Sequence, residues 1–294
     1  MSSSTELASS PSAQQREEEL IAWLQSHDSL LLGFSGGVDS AYLACVAVEA
    51  VGTERFLAVI GRSASYPAEQ WQTARDVAAR AGIDVLEVDT HEMDDPRYIA
   101  NPTNRCYFCK SELWSVLERV RAERGIATII DGTNADDLTD HRPGKKAATE
   151  QGIRSPLAEL GFTKHDIRAL SRARDIPTWS QPSSPCLSSR LPYGTPVTVT
   201  RLSAVERAER ALRTLGVSGN LRVRHHGDVA RVELDLPELE RWRDADRSAQ
   251  LRDAVRAAGF ASVELDPRGF RSGSLNVLAG VVTDSRERAS LSGA

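Results

Sequence analysis

LLLGFSGGVDS, residues 30–40, opens with an apolar run, Leu30 to Leu32 and then Phe34, that stops abruptly at Ser35-Gly36-Gly37. The run has the length and bounding of a strand buried on both faces. Two adjacent glycines let the chain turn sharply, and Asp39 and Ser40 then fall in the first turn of AYLACVAVEAV, where Tyr42, Leu43, Val46, Ala50 and Val51 recur at helical spacing. The pattern is strand, glycine turn, helix. Such a turn points several backbone N–H groups and the positive end of the helix dipole at one spot, among side chains small enough to let an anion approach. It is built for phosphate. SGGVDS is neither the GxGxxG dinucleotide fingerprint nor the GxxxxGK[ST] loop, and it has no lysine to reach a terminal phosphate.

The hexapeptide resembles the PP-loop of the ATP pyrophosphatases. That resemblance implies ATP as cofactor, cleaved between its α and β phosphates, with pyrophosphate held by Ser35, Gly36, Gly37, Asp39 and Ser40 and AMP left on an acceptor oxygen. The flanking pattern fits the corresponding fold. FLAVI (56–60) and IDVLEVD (83–89) read as buried strands, with PAEQWQTARDVAARAG (67–82) as the helix between them; a helix over about 107–123 and the strand IATIID (126–131) follow. Strands alternating with helices predict an α/β protein with a doubly wound parallel sheet. Ligands then bind at the carboxyl ends of the strands, which puts Gly61, Asp131 and the loop at Ser35 on one rim. DGTNADD (131–137) follows its strand as SGGVDS follows the first, and by itself it is a turn whose Asp131, Asn134 and Asp136 cap a helix. The resemblance implies that Asp131, Gly132, Thr133 and Asn134 face the nucleotide with Gly61, and that Asp131 holds Mg²⁺ through water.

The rest of the chain divides around this unit. Residues 1–16 are Ser-, Ala- and Gln-rich and are expected to form a tail, and a short helix over 17–25 leads into the first strand. The first domain is expected over 17–180, ending with the helix TKHDIRALSRAR (163–174). IPTWSQPSSPCLSSRLPYGTP (176–196) holds five prolines without apolar periodicity, so 181–196 is expected as an extended active-site segment. A small α+β domain follows over 197–276: helix 201–215, strands LRVRHHG and VARVELD, helix 237–258 and strand ASVELD. Residues 277–294 are expected as a second tail.

Composition narrows the partners. The 294 residues, 40% hydrophobic, suffice for two domains. No run of about 18 apolar residues exists and the N-terminus lacks a secretory pattern, so no membrane partner is expected and the expected location is the cytoplasm. With 36 basic against 41 acidic residues, net charge −5, there is no electrostatic argument for a nucleic-acid surface. The four cysteines are too few for a disulfide scaffold. Cys45, among apolar neighbours, reads as a core residue. Cys106 and Cys109 have redox or half-metal-site spacing with no second CxxC to complete a zinc site. Cys186 stands in the irregular segment, with Arg190 near enough in sequence to favour a thiolate.

NPTNRCYFCK, DGTNADDLTDHRPGKKA, RSPLAELGFTKHDIRALSR and SPCLSSRLPYGTP together resemble the ATP-dependent sacrificial sulfur transferases of the LarE family, over about residues 30–235. In that family a pyridinium dicarboxylate mononucleotide is adenylylated and a cysteine, here Cys186, gives up its sulfur on the way to the nickel-pincer cofactor of lactate racemase. The resemblance also implies a homo-oligomer, and a substrate pocket containing Arg190, Arg222, Arg224 and Glu233. Arg222 and Arg224 alternate along one strand and so share a face, where the bland reading is solvent-facing charge. Some members use three cysteines and an iron–sulfur cluster; with no cysteine after Cys186, that route is disfavoured here. The alternatives are a PP-loop tRNA thiolation enzyme using Cys106, Cys109 and Cys186, and a non-catalytic nucleotide-binding module.

Overall fold

The computed structural model describes residues 12–138, 143–271 and 280. Of the two expected tails, residues 1–11 and all but Gly280 of 277–294 lie outside them. Ser12 to Arg16 do not behave as a tail. Helix α1 spans Ala13–Gln25 because Ser12 and Gln15 form a capping box, each side chain accepting from the other's backbone N–H.

The first unit continues β1 (Leu30–Gly33), α2 (Val38–Val51), β2 (Phe56–Arg62), α3 (Ala68–Ala81), β3 (Val85–Asp89), α4 (Pro96–Ile99), α5 (Arg105–Arg124) and β4 (Thr128–Ile130). The four strands lie in the order β3-β2-β1-β4, and every pair is parallel. The order reverses direction between β1 and β4, which opens a crevice beyond their carboxyl ends. Both faces of the sheet are covered. Leu30, Leu32, Phe56, Ala58 and Ile60 pack with α1, α2 and α3 on one side, while Leu31 and Val59 pack against Trp114, Leu117 and Val120 of α5 on the other. Helices α6 (Pro143–Glu150), α7 (Pro156–Glu159) and α8 (Lys164–Ala173) complete the unit, the last capped by Thr163.

A second core is built on α9 (Val199–Thr214), β5 (Leu221–His226), β6 (Val229–Leu234), α10 (Leu236–Arg241), α11 (Ala245–Ala257) and β7 (Ser262–Leu265). Strands β5 and β6 pair antiparallel, β6 and β7 parallel. The single helix expected over 237–258 is two helices. Asp244 breaks it by accepting from the N–H groups of Asp246 and Arg247 as the cap of α11. The proline-rich segment is anchored rather than a free linker: Leu187 and Leu191 are buried in the second core beside Tyr98 of α4. That burial fixes where Cys186 sits.

Candidate functional site

The turn after β1 is shaped by sterics. Gly36 has φ of +67°, and a Cβ there would lie 2.6 Å from the Cβ of Ala74 in α3. Gly37 is the N-cap of α2 and offers no side chain to the first turn, which leaves those N–H groups directed at the crevice. Helix α3 braces the turn, since Gln70 Nε2 and the Tyr66 hydroxyl both donate to the Ser35 carbonyl at 2.9 Å. The hydroxyls of Ser35 and Ser40 meet at 3.1 Å. Neither Tyr66 nor Gln70 carried a sequence signal.

The turn after β4 meets this one closely. A Cβ on Gly132 would come within 3.0 Å of the Ser40 nitrogen, so glycine permits the approach. Asn134 Nδ2 donates to Asp39 at 3.2 Å, and its carbonyl accepts from the Asp137 N–H. Asp131, the expected metal residue, accepts from the Thr133 N–H and hydroxyl and from the Ser155 hydroxyl, so its carboxylate braces the turn. Asn134 thus lies between Asp39 and Asp137. Burial, and then the charge of Asp137, push Asp39 up to about 6, against the pull of Lys164 and Asn134. Lys164 pairs with Asp137 at 2.9 Å. Gly61, near the end of β2, lies on the same rim two strands from Asp131.

The Asp39 shift has a measurable consequence. Folding raises this pKa from 3.8, so the stability it contributes is present below pH 3.8 and is lost as pH rises through about 6. Asp39→Asn is therefore expected to make the ligand-free chain more stable at pH 8, by on the order of 2–3 kcal/mol, with the gap closing near pH 4. Thermal unfolding at both pH values checks this; a gap that does not depend on pH would contradict it.

Cys186 caps the short 3-10 turn Leu187–Arg190 in the second cluster. Arg190, expected beside the sulfur, contacts the backbone of Cys186. Its guanidinium is 1% exposed and forks onto Glu209 of α9, while Nη1 donates to the carbonyls of Pro185 and Cys186 and to the Ser189 hydroxyl. Arg190 thus holds the backbone that presents Cys186. Arg222 and Arg224 share a face as alternation predicts, with Glu233 opposite Arg222 in the register. Both are buried rather than solvent-facing. Arg224 forks onto Glu233 and donates to the Ser189 carbonyl, and Arg222 donates to the Ser183 carbonyl. Burial and the neighbouring Arg190 pull Arg222 down to about 9. Without ligand, all three arginines grip residues 183–189.

The structure also brings together cysteines that the sequence left apart. The first turn of α5, which carries Arg105 and the Cys106–Cys109 pair, lies beside the Cys186 turn: Arg105 and Tyr98 both bond Ser188, and Arg105 stacks over Tyr193. Burial, and then the charge of Glu92, push Cys109 up, which opposes thiolate formation there, while Cys106 is exposed. Among the described residues no group of three or more His, Cys, Asp or Glu side chains is placed to hold a metal ion. Arg105 Nη1 donates to the Ser188 carbonyl at 3.0 Å, a second grip on the Cys186 turn. Cys45 is buried behind the sheet, as expected of a core thiol.

Two consecutive residues join the clusters. Ser65 accepts the Leu187 N–H on its carbonyl at 2.8 Å, and Tyr66 donates to Ser35. The thiol turn and the phosphate turn are therefore tied to adjacent residues of the same loop. No helix among the described residues is long and apolar enough to cross a membrane.

A family model described as NAD synthase matches residues 19–99, the part that contains the phosphate turn. A Synechocystis protein of uncharacterised function is 42% identical over 88% of this chain and 96% of its own. A Methanocaldococcus jannaschii protein, also uncharacterised, is 29% identical over 70% of this chain and 77% of its own. The pyridinium-3,5-bisthiocarboxylic acid mononucleotide synthase of Lactiplantibacillus plantarum is 34% identical over 89% of this chain and 94% of its own. With that identity along nearly the whole of both chains, and a parallel sheet carrying the PP-loop at its switch point, the protein belongs to the LarE family of PP-loop sulfur transferases.

Proposed function

We propose that the chain activates a carboxylate of a pyridinium dicarboxylate mononucleotide with ATP and then transfers to it the sulfur of its own Cys186. The observation that supports this reading is the link through Ser65 and Tyr66, which ties the turn carrying Cys186 to the phosphate turn. A carboxylate is a poor electrophile until AMP turns its oxygen into a leaving group. The N–H groups at Ser35–Ser40 stabilise the departing pyrophosphate, and small side chains let it come close. Mg²⁺ would neutralise phosphate charge; Asp131, at the end of β4, and Asp39, beside the phosphate turn, are the carboxylates that would hold it. The Cys186 thiolate attacks the acyl carbon and AMP leaves. Loss of the acidified Cα–H from the thioester then breaks the Cβ–S bond, releasing a thiocarboxylate and leaving dehydroalanine at 186. Arg222, the least tightly ion-paired of the three arginines, is the natural contact for the substrate phosphate, with Arg224, Arg190 and Glu233 shaping the pocket.

The relative's product carries two thiocarboxylates; on this reading two sulfurs need two polypeptides. Such a product would be a precursor of the nickel-pincer cofactor, made in the cytoplasm by a homo-oligomer. The test is intact mass after one turnover. The wild-type chain should become lighter by the mass of H₂S, with peptide mapping locating the change at 186. A second reading draws on the first turn of α5, which carries Cys106 and Cys109 beside the Cys186 turn and suits sulfur carriers. Product beyond one equivalent from chains of unchanged mass would favour it.

A further inference from the structure

Asn101 ends the short helix α4, and no step above uses it. It stands one residue past the Ala100 cap, where its N–H donates to the Tyr98 carbonyl at 3.0 Å and its φ of +54° is left-handed. Glycine is the ordinary occupant of such a position, and Pro102 behind it already stops the helix. What an asparagine adds there is its side chain. Asn101 is fully buried, and both polar atoms of its amide are engaged.

Its bonds run to the stretch that carries Cys186. Nδ2 donates to the carbonyls of Pro192 and Thr195, each at 2.8 Å, and Oδ1 accepts from Arg105 Nη1. Arg105 is 4% exposed and pairs with no carboxylate among the described residues, so the amide oxygen is what answers its charge. The same Arg105 nitrogen reaches the Ser188 carbonyl at 3.0 Å. The Asn101 carbonyl also accepts from the Gly194 N–H, and that of Ile99 from the Val197 N–H, both at 2.9 Å. One amide thus ties residues 188, 192 and 195 to α4 and α5, in the unit that carries the phosphate turn. Arg222 and Arg224 hold the other end, at Ser183 and Ser189, from the second unit. No other side chain serves as well. Glycine keeps the conformation without the donors, and aspartate keeps the acceptor for Arg105 but offers the two carbonyls no N–H.

We propose that Asn101 is a positioning residue for sulfur transfer, fixing the Cys186 turn against the unit that activates the carboxylate. Attack needs the sulfur at the acyl carbon while the adenylate is still held, so the two turns must keep one spacing. Activation has no such need, because Tyr66 and Gln70 brace the phosphate turn from within the first unit. Asn101 acts through Arg105 and the backbone of 188–195. The role rests on the reading of Cys186 as sulfur donor.

The experiment makes two measurements on the full chain. The first mixes it with saturating ATP, Mg²⁺ and the pyridinium dicarboxylate mononucleotide, following pyrophosphate by a coupled assay and dehydroalanine by intact mass. Asn101→Gly, which keeps the left-handed backbone and removes only the amide, should form dehydroalanine about 100-fold more slowly than wild type. Its pyrophosphate burst, and the ATP and mononucleotide concentrations that half-saturate that burst, should stay at wild-type values. The second follows hydrogen exchange without ligand: the Leu191, Gly194 and Val197 amides should be protected in wild type and exchange at least about tenfold faster in the variant, with α2 and α3 unchanged. A wild-type rate of dehydroalanine formation in Asn101→Gly overturns the proposal. So does a burst that falls in step with dehydroalanine, which marks a general loss of packing. Asn101→Asp carries the same test if Asn101→Gly fails to fold. Without any variant, wild-type Leu191, Gly194 and Val197 exchanging as fast as the exposed Ser183 and Ser184 would refute the clamp. A wild-type chain that keeps its full mass overturns the sulfur-donor reading, and this role with it, even where the exchange pattern holds.

Discussion

Gly36→Ala is expected to lower ATP-dependent pyrophosphate release by at least about 100-fold, because the methyl group displaces the phosphate turn rather than merely crowding it. The new Cβ would lie 2.6 Å from Ala74 Cβ and 2.8 Å from Ala74 Cα, so the backbone of α3 must give way. The left-handed conformation at φ +67° adds a further penalty of about 1–2 kcal/mol for any residue with a Cβ. Helix α3 also carries Gln70, which with Tyr66 fixes the Ser35 carbonyl. A shift of that helix therefore moves the N–H groups proposed to meet pyrophosphate. Gly37→Ala is the control for fold: at φ −72° its Cβ meets nothing closer than the Ser35 hydroxyl at 3.5 Å. The Gly36 variant should melt below wild type, the Gly37 variant close to it. Normal pyrophosphate release from Gly36→Ala would remove this turn from the mechanism.

The parts of this site that were legible in the sequence are those that depend on neighbours along the chain. A strand buried on both faces reads as a continuous apolar run, so β1, β2 and the turn that ends β1 were visible from Leu30 to Ser40. The start of α1 was equally local, in Ser12 and Gln15, yet a polar composition hid it. What the sequence did not show depends on distant segments approaching. That Arg190 would fork onto Glu209, or Arg224 onto Glu233, follows from how α9 and β6 pack against residues 183–190. A guanidinium four residues from a thiol says nothing about which of its sides faces the sulfur. The same holds for Asp39 and Asn134, which meet only because Gly132 lets the β4 turn approach α2. The CxxC at the start of α5 looked independent of Cys186 for the same reason: the turn at 186 reaches α5 through Arg105.

Cys186→Ala should stop the reaction after activation, with pyrophosphate still released on adding ATP and substrate and thiocarboxylate falling to background. The turn is held by groups that the substitution leaves in place. Arg190 grips the carbonyls of Pro185 and Cys186, Arg105 the carbonyl of Ser188, and Ser65 the N–H of Leu187. Forming an acyl adenylate needs the phosphate turn and a metal but no thiol, so the first half of the chemistry survives. The other cysteines are poor substitutes. Burial pushes Cys45 up to about 11 behind the sheet, burial and the Glu92 charge push Cys109 up, and Cys106 lies exposed at the start of α5. Cys106→Ala and Cys109→Ala should accordingly each still yield about one thiocarboxylate group per chain, with dehydroalanine at 186. Thiocarboxylate from Cys186→Ala at the wild-type level would show that the sulfur comes from elsewhere, and loss of product in both CxxC variants alongside intact Cys186 would assign the supply to that pair.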